Sequence, residues 1–586
     1  MSTVKRYWKL LASYLRPQWA QVALLTLLVM GGIALQLVNP QLVRRFLDAV
    51  ENNRSLDELV LTAILFTGVA IFTQVIKVAV SYVGENVAWK ATNELRIDLA
   101  LHCLKLDMGF HKVHKPGELI ERVDGDVNYL ANFFSRLIIE LTSNVLLISG
   151  VIFLLWLVDW RVGLSITVLA LAGLLFLNKA NKRIVPLWQT VRQVESELFG
   201  HLEEWIGGTE EIQTNRASIY TMARLYRQMR SRWHANKRAM QANIPVNALP
   251  ILIPGLAYVA AYIWGYALFK GAALTIGSIY LIFYYLDVIK GPLWSIQRQV
   301  QDLQRAAASL NRIIDLLAIK PVIAEIEGEV LSEGSLQLTF DQVSFSYADD
   351  PDTPILKEIS FSLEPGQVLG LLGRTGSGKS TLTRLLLRFY DPSDGSIVLR
   401  DETGKSFDLR QISQASLRHR IGMVTQEVQL FHASVRDNLT LFDDDLEDGK
   451  ILSALDELGL MPWLDSLPEG LDTVLEAGES LSAGEAQLLA LGRVFLSDAG
   501  LVILDEASSR LDPATEQLLE QAISKLLVGR TAIIIAHRLA TVGRADEIMI
   551  LADGKIAETG DRTALEADPS SRFAYLLKVG LEEALV

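Results

Sequence analysis

The strongest constraint on this chain is a recurrence. Six uncharged, apolar runs mark its first half: Trp19 to Val43, Leu59 to Ile76, Leu141 to Val158, Val162 to Asn178, Ala239 to Phe269 and Gly271 to Leu286. A hydrocarbon core about 30 Å thick is crossed by about 20 helical residues, and each run is close to that length. One such run alone reads equally well as a buried helix of a soluble protein; six in half a chain do not. An α-helical transmembrane domain of six spans is therefore expected over residues 1–320, because in lipid a helix satisfies every backbone polar group within its own segment.

Charge divides the chain at the same place. Of 55 Lys+Arg and 68 Asp+Glu in the 586 residues, 33 and 23 fall in residues 1–320, leaving 22 and 45 after it, so the halves carry +10 and −23. An oily, basic half followed by an acidic, polar half reads as a membrane domain joined to a water-soluble one. The apolar share of 50% excludes disorder and collagen, and nothing resembles a nucleic-acid-binding arm, so no nucleic-acid partner is expected. The single cysteine, Cys103, has no disulfide partner in the chain, and no Cys/His spacing suits zinc.

The basic Met1–Pro17 segment, with Tyr7, Trp8, Leu11 and Tyr14 at helical spacing, reads as an interfacial helix rather than a cleavable signal. Segments 85–136 and 179–238 hold seven and eleven Lys+Arg, against about one each near Asp159–Arg161 and Lys270. The positive-inside rule places both long loops and the N-terminus in the cytoplasm of a multi-pass protein, with the cell membrane as the expected site. The periodic Leu and Ile in those loops suggest that the flanking helices continue beyond the bilayer. Gln74, Lys77 and Ser81 share a helical face, and Glu140 stands at the edge of the third run. With Tyr280, Tyr284 and Asp287 they are the candidate lining of a substrate cavity, since intramembrane polar groups mark pathways; snorkelling to the interface is the competing reading for Lys77 and Glu140. Pro245, Pro250 and Pro254 are expected to bend or loosen the fifth span.

After a linker, 321–335, a domain over 336–586 changes character. Leu336, Leu338 and Phe340, then Val343, Phe345 and Tyr347, alternate at period two with one break at Asp341. Buried-strand runs follow at Val368–Leu372, Ile421–Thr425, Leu501–Leu504 and Thr531–Ala536, separated by helical stretches such as Ser380–Phe389 and Thr515–Leu527. Strands alternating with helices imply an α/β domain with a largely parallel sheet.

The first of these strands runs into Gly373, Arg374, Thr375, Gly376, Ser377, Gly378, Lys379, Ser380 and Thr381, a complete G-x-x-x-x-G-K-[ST] phosphate loop opening a helix. Its backbone amides and the helix N-terminus suit phosphate oxygens, Lys379 the β/γ-phosphates of ATP, and Ser380 a Mg²⁺ ion. A second strand ends in Asp505-Glu506, where Asp505 is placed to hold Mg²⁺ and Glu506 to polarise a water. A third delivers His537 to the same sheet edge.

These motifs together resemble the nucleotide-binding domain of the ATP-binding cassette (ABC) superfamily. Val424-Thr-Gln426-Glu427 is similar to the Q-loop, Leu481-Ser-Ala-Gly-Glu485 stands where the family has LSGGQ and opens an expected helix Ala486–Leu496, Ser509-Arg-Leu-Asp512 is similar to the D-loop, and His537 to the switch histidine. Residues 95–126, with Lys115-Pro-Gly-Glu-Leu-Ile-Glu-Arg-Val-Asp-Gly-Asp126, resemble the first intracellular loop of ABC exporters. The resemblance implies that Tyr347 stacks on adenine, that Gln426 senses Mg²⁺ and water, that Glu506 is the general base, and that Ser482 and Gly484 touch the γ-phosphate of an ATP held by a partner subunit. It also implies a dimer of two half-transporters enclosing two ATPs. Ala483 and Glu485 depart from the family's Gly and Gln, adding a methyl group and a negative charge where phosphate approaches. The expectation is therefore a heterodimer, somewhat favoured over a homodimer, in which this chain supplies the intact catalytic residues. The implied activity is ATP-driven export of an amphipathic, lipid-like, drug-like or peptide substrate. A membrane-anchored regulatory ATPase that gates a partner is the alternative; an importer fits less well.

Overall fold

A computed structural model describes residues 10, 12–132, 139–271, 273–323, 325–326, 328–475, 481–505, 513–536 and 542–579. It divides into two compact units: Met1–Leu104 with Pro116–Ile319, and Lys105–Lys115 with Lys320–Val586.

The first unit is helical. Six of its described helices are long and apolar enough to cross a membrane: Ala12–Glu51, Leu56–Lys105, Glu140–Val158, Trp160–Gly207, Ser218–Lys270 and Ile276–Ser295. Four of them extend well past bilayer length, as the periodic loop sequences imply. Exposed Leu27, Ile64, Phe72, Leu175, Ile251 and Tyr262 give the unit an oily exterior, and lipid is the solvent in which such a surface carries no hydrophobic penalty. Its interior is a packed cluster around Val151, Leu155, Val162, Ala261, Leu281 and Tyr285. The Tyr285 hydroxyl donates to Leu37 O (3.0 Å) and accepts from Gln41 (2.8 Å), tying the sixth helix to the first.

The fifth helix is continuous through Pro245, Pro250 and Pro254, two of which are buried. One expectation changes. The sixth begins at Ile276 rather than Gly271, because the Thr275 side chain accepts from Ser278 N (3.1 Å) and caps it there. Most of the Met1–Pro17 segment lies outside the described residues.

The second unit holds a six-stranded sheet in the order β12-β11-β3-β10-β9-β6. These strands are β3 Val368–Gly373, β6 Ile421–Val424, β9 Leu501–Asp505, β10 Thr531–Ile535, β11 Glu547–Ala552 and β12 Lys555–Asp561, while β7 Ala433–Ser434 and β8 Val474–Leu475 pair antiparallel apart from it. All neighbours are parallel except β12. Period two explains the two cores: Val368, Leu372, Val502, Leu504, Ala532 and Ile534 face one side, while Leu369, Leu371, Leu501, Ile503, Ile533 and Ile535 face the other. Strands covered on both faces read as near-continuous apolar runs.

The parallel sheet is not the whole domain. An antiparallel sheet, β2-β1-β4-β5, packs beside it, built from β1 Gln337–Phe345, β2 Leu356–Leu363, β4 Asp394–Arg400 and β5 Ser406–Asp408. The break expected near Asp341 is a register shift between Phe340 and Val343, where Gln342 takes φ +48°.

Candidate functional site

In parallel α/β sheets the carboxyl ends of the strands gather ligand-binding loops, and the motif residues collect there. β3 ends at Gly373, β9 at Asp505, and β6 at Val424, just before Thr425 and Gln426. Register sets Asp505 opposite Ile535, the last residue of β10. Glu506 and Asp512 follow β9 and His537 follows β10, all three outside the described residues.

The phosphate loop has the backbone its glycines predict. Gly373, Gly376 and Gly378 take φ of +150°, +82° and +109°, conformations open to glycine at no steric cost. At Gly373 a Cβ would lie 2.4 Å from the Leu551 carbonyl oxygen, so the tight entry also requires the missing side chain. Gly378 caps the helix Lys379–Leu386. Buried Lys379 donates from Nζ to the carbonyls of Gly373 (2.5 Å) and Arg374 (3.1 Å), which curls the loop around its ammonium group. Among the described residues Ser377 Oγ is buried with no hydrogen-bond partner, a polar atom open to a ligand. Arg374, Thr375, Gly376 and Ser380 are exposed. Curled amides, a helix N-terminus and a buried cation form a polyanion cradle.

Ser380, Gln426 and Asp505 offer one hydroxyl, one amide oxygen and one carboxylate. Such hard oxygen donors suit Mg²⁺, which keeps several waters and takes further ligands from substrate phosphates. Among the described residues no group of three His, Cys, Asp or Glu is placed to hold a metal by itself.

Tyr347 stands beside the cradle. Its hydroxyl shares a hydrogen bond with Thr381 Oγ1 (3.1 Å) and accepts one from Arg384 (3.1 Å). Its ring meets Phe345 and Tyr390 edge to face, at 4.9 and 5.2 Å.

The signature segment corrects the sequence reading of its helix. The helix begins at Ala483, not Ala486, because Ser482 and Glu485 form a capping box. Glu485 Oε2 accepts from Ser482 N (2.7 Å) and Ser482 Oγ from Glu485 N (3.3 Å). Ser482 and Ala483 are exposed and Gly484 is buried. A carboxylate thus sits at the helix N-terminus.

The candidate cavity residues make several local contacts. Lys77 lines an open groove of about 720 Å³ along the second long helix with Ser81, Tyr82, Glu85, Asn86 and Trp89. Gln74, Glu140, Tyr280, Tyr284 and Asp287 are not among its lining. Glu140 accepts from Ser295 Oγ (3.2 Å), Asp287 from Tyr258 (2.7 Å) and Lys290 (2.6 Å), and Tyr280 and Tyr284 contact each other at 6.0 Å. Tyr82 and Trp89 escaped sequence reasoning, although their spacing of seven residues puts them on one face of the helix.

Comparison with known proteins bears on both units. The family described as ABC transporter transmembrane region matches residues 22–293, and that described as ABC transporter matches residues 356–509. The chain is 30% identical over 586 residues to an uncharacterized ABC transporter ATP-binding protein, YknV, of Bacillus subtilis strain 168, covering 99% of this chain and 95% of that one. It is 28% identical over 568 residues to an ATP-dependent lipid A-core flippase of Idiomarina loihiensis, covering 96% of each. Among solved structures, a bacterial Atm1-family ABC exporter with ATP bound shares the fold at a TM-score of 0.79 and 24% identity, over 96% of this chain and 98% of that chain.

Proposed function

The chain belongs to the ABC transporter family, as an exporter-type half-transporter that joins one membrane domain to one ATP-hydrolysing domain, and from that premise we propose that it works in a dimer that moves an amphipathic molecule outward across the cell membrane. The observation that carries this reading is the polyanion cradle, with its buried Lys379 and a Ser377 hydroxyl that has no hydrogen-bond partner among the described residues, on a chain that also bears six bilayer-length apolar helices. The likeness to a lipid A-core flippase supports an amphipathic substrate. The basic loops support a cytoplasmic ATPase domain.

ATP enters with its adenine on Tyr347 and its phosphates in the loop of residues 373–381, where Lys379 exchanges carbonyl partners for phosphate oxygens. Ser380, Gln426 and Asp505 would hold Mg²⁺, which would supply neutralisation of charge on the phosphates. Glu506 takes the proton of the attacking water and His537 contacts the γ-phosphate. Ser482 and Gly484 complete the partner's ATP site, with Asp512 beside it, so two ATPs close the dimer and their hydrolysis reopens it.

The Glu485 carboxylate, held on Ser482 N at 2.7 Å, opposes an incoming γ-phosphate, and the Ala483 methyl crowds it. A signature weakened in this way suits a heterodimer whose other chain faces it with an altered catalytic glutamate.

The test is Mg²⁺-ATP hydrolysis by the full chain alone in lipid vesicles, beside Glu506→Gln, with uptake of a fluorescent amphiphile. Loss of a general base is expected to cost about 10²- to 10⁴-fold in turnover. Unchanged turnover in Glu506→Gln defeats the assignment of the base. Full activity of the chain alone defeats the heterodimer reading, and hydrolysis that never moves an amphiphile defeats the export reading.

A further inference from the structure

The segment between the second long helix and Pro116 belongs to the second unit, and it places a cation on the ring proposed to receive adenine. Its short helix, Met108–Val113, is tethered at both ends. Before it, the Asp107 carboxylate accepts from the backbone amides of Val322 and, at 3.2 Å, Ile323. At its end Lys112 Nζ lies 2.8 Å from Asp349 Oδ2 and 4.7 Å from the centroid of the Tyr347 ring. Between them, a Cβ at Gly109 would lie 3.9 Å from the Tyr390 ring, so the helix rests against the aromatic cluster through its smallest residue.

Five described residues thereby hold Tyr347. Phe345 and Tyr390 meet its ring edge to face, Thr381 and Arg384 hold its hydroxyl, and Lys112 holds its π-cloud, itself held by an acid two residues along the chain from that ring. A base stacks best on a ring whose orientation is already fixed, because the ordering cost falls before binding. A cation over a tyrosine ring contributes modestly where both are half exposed, which is the range in which a contact tunes affinity without holding the fold.

We propose that Lys112 is a positioning residue for nucleotide recognition: through its contacts with Tyr347 and Asp349 it presets the ring on which the adenine base stacks. The proposal rests on the reading of Tyr347 as the adenine platform. Because the Lys112 helix follows directly on the helix Leu56–Lys105, base recognition is tied to the seating of that segment, and by thermodynamic reciprocity a bound base holds the segment in place.

The experiment measures equilibrium binding to the full-length chain in lipid nanodiscs, by displacement of a fluorescent ATP analogue with either ATP or inorganic tripolyphosphate. Tripolyphosphate has no base, so it reports on the phosphate cradle alone. Lys112→Ala is expected to weaken ATP about three- to tenfold and leave tripolyphosphate unchanged, while Lys112→Arg restores ATP binding to within about twofold. Equal weakening of both ligands shows a general electrostatic effect and overturns the proposal, as does unchanged ATP binding. Tyr347→Ala separates the two readings. If it leaves ATP binding unaltered, the adenine assignment fails and the proposal with it; if it weakens ATP while Lys112→Ala does not, only the role of Lys112 fails.

Discussion

Breaking the ion pair between Asp126 and Arg312 is expected to destabilise the first unit in an order that identifies which partner is buried. The Asp126 side chain is 1% exposed and that of Arg312 49% exposed. The guanidinium grips both carboxylate oxygens, through Nε at 2.8 Å and through Nη2, and also donates to Ser309 Oγ at 3.1 Å. Removing one member of a fully buried pair costs about 3–5 kcal/mol; with one partner half in solvent, the expected cost is about 2 kcal/mol. Arg312→Ala leaves a buried carboxylate without its counter-ion, whereas Asp126→Asn leaves a guanidinium that turns to water. The first is therefore expected to be the more damaging, lowering the thermal midpoint by about 3 °C in a unit of this size, and the double variant is expected to be more stable than Arg312→Ala alone. Thermal unfolding of the full chain in detergent, run as a double-mutant cycle, reads this directly. A coupling below about 0.5 kcal/mol, or equal effects of the two single changes, refutes the argument.

Glu485→Gln removes the charge at the signature helix while keeping the capping box, and is expected to raise ATP turnover about two- to tenfold in whichever dimer uses that signature; unchanged turnover separates the signature charge from catalysis. Gly373→Ala forces a Cβ to 2.4 Å from the Leu551 carbonyl oxygen at φ +150°, and is expected to abolish binding of a fluorescent ATP analogue and destabilise the second unit by about 1–3 kcal/mol. Arg493 donates to Asn438 O (2.6 Å), Gln429 O (3.1 Å) and Asn438 Oδ1 (3.3 Å) from one guanidinium fork; Arg493→Lys is expected to cost about 1–2 kcal/mol in urea unfolding of that unit, since an ammonium does not span the three. Cys103 is buried, and maleimide is expected to label it slowly in the folded chain and fast after denaturation.

Local patterns made the phosphate loop, the six apolar helices and the parallel strands readable, because each depends on neighbours within a turn or a strand. The start of the signature helix was misplaced by three residues: Ala483-Gly484 resembles loop, and only the Ser482–Glu485 capping box draws it into the helix. Of the antiparallel sheet only β1 was read, because β5 is three residues long and the partners are distant in sequence: β4 pairs with β1 across many residues, and β5 in turn with β4. Long-range contacts were least accessible. Residues 105–115 look like a loop of the membrane half, and nothing near Lys112 announces Asp349, 237 residues away. A helical wheel likewise placed Lys77 and Ser81 on one face, but what lies opposite that face is a matter of tertiary packing.

The helix Leu56–Lys105 has a mechanical consequence. Its 50 residues include no proline, whereas the first, fourth, fifth and sixth long helices each contain at least one. At about 1.5 Å per residue it is a rod of about 75 Å, two and a half times the thickness of a bilayer's hydrocarbon core. A stiff rod is a lever. Pivoted at one end, a tilt of about 5° sweeps the other through about 6–7 Å, more than half the width of a packed helix. Small rotations at its Lys105 end therefore become displacements large enough to part or join neighbouring helices across the bilayer.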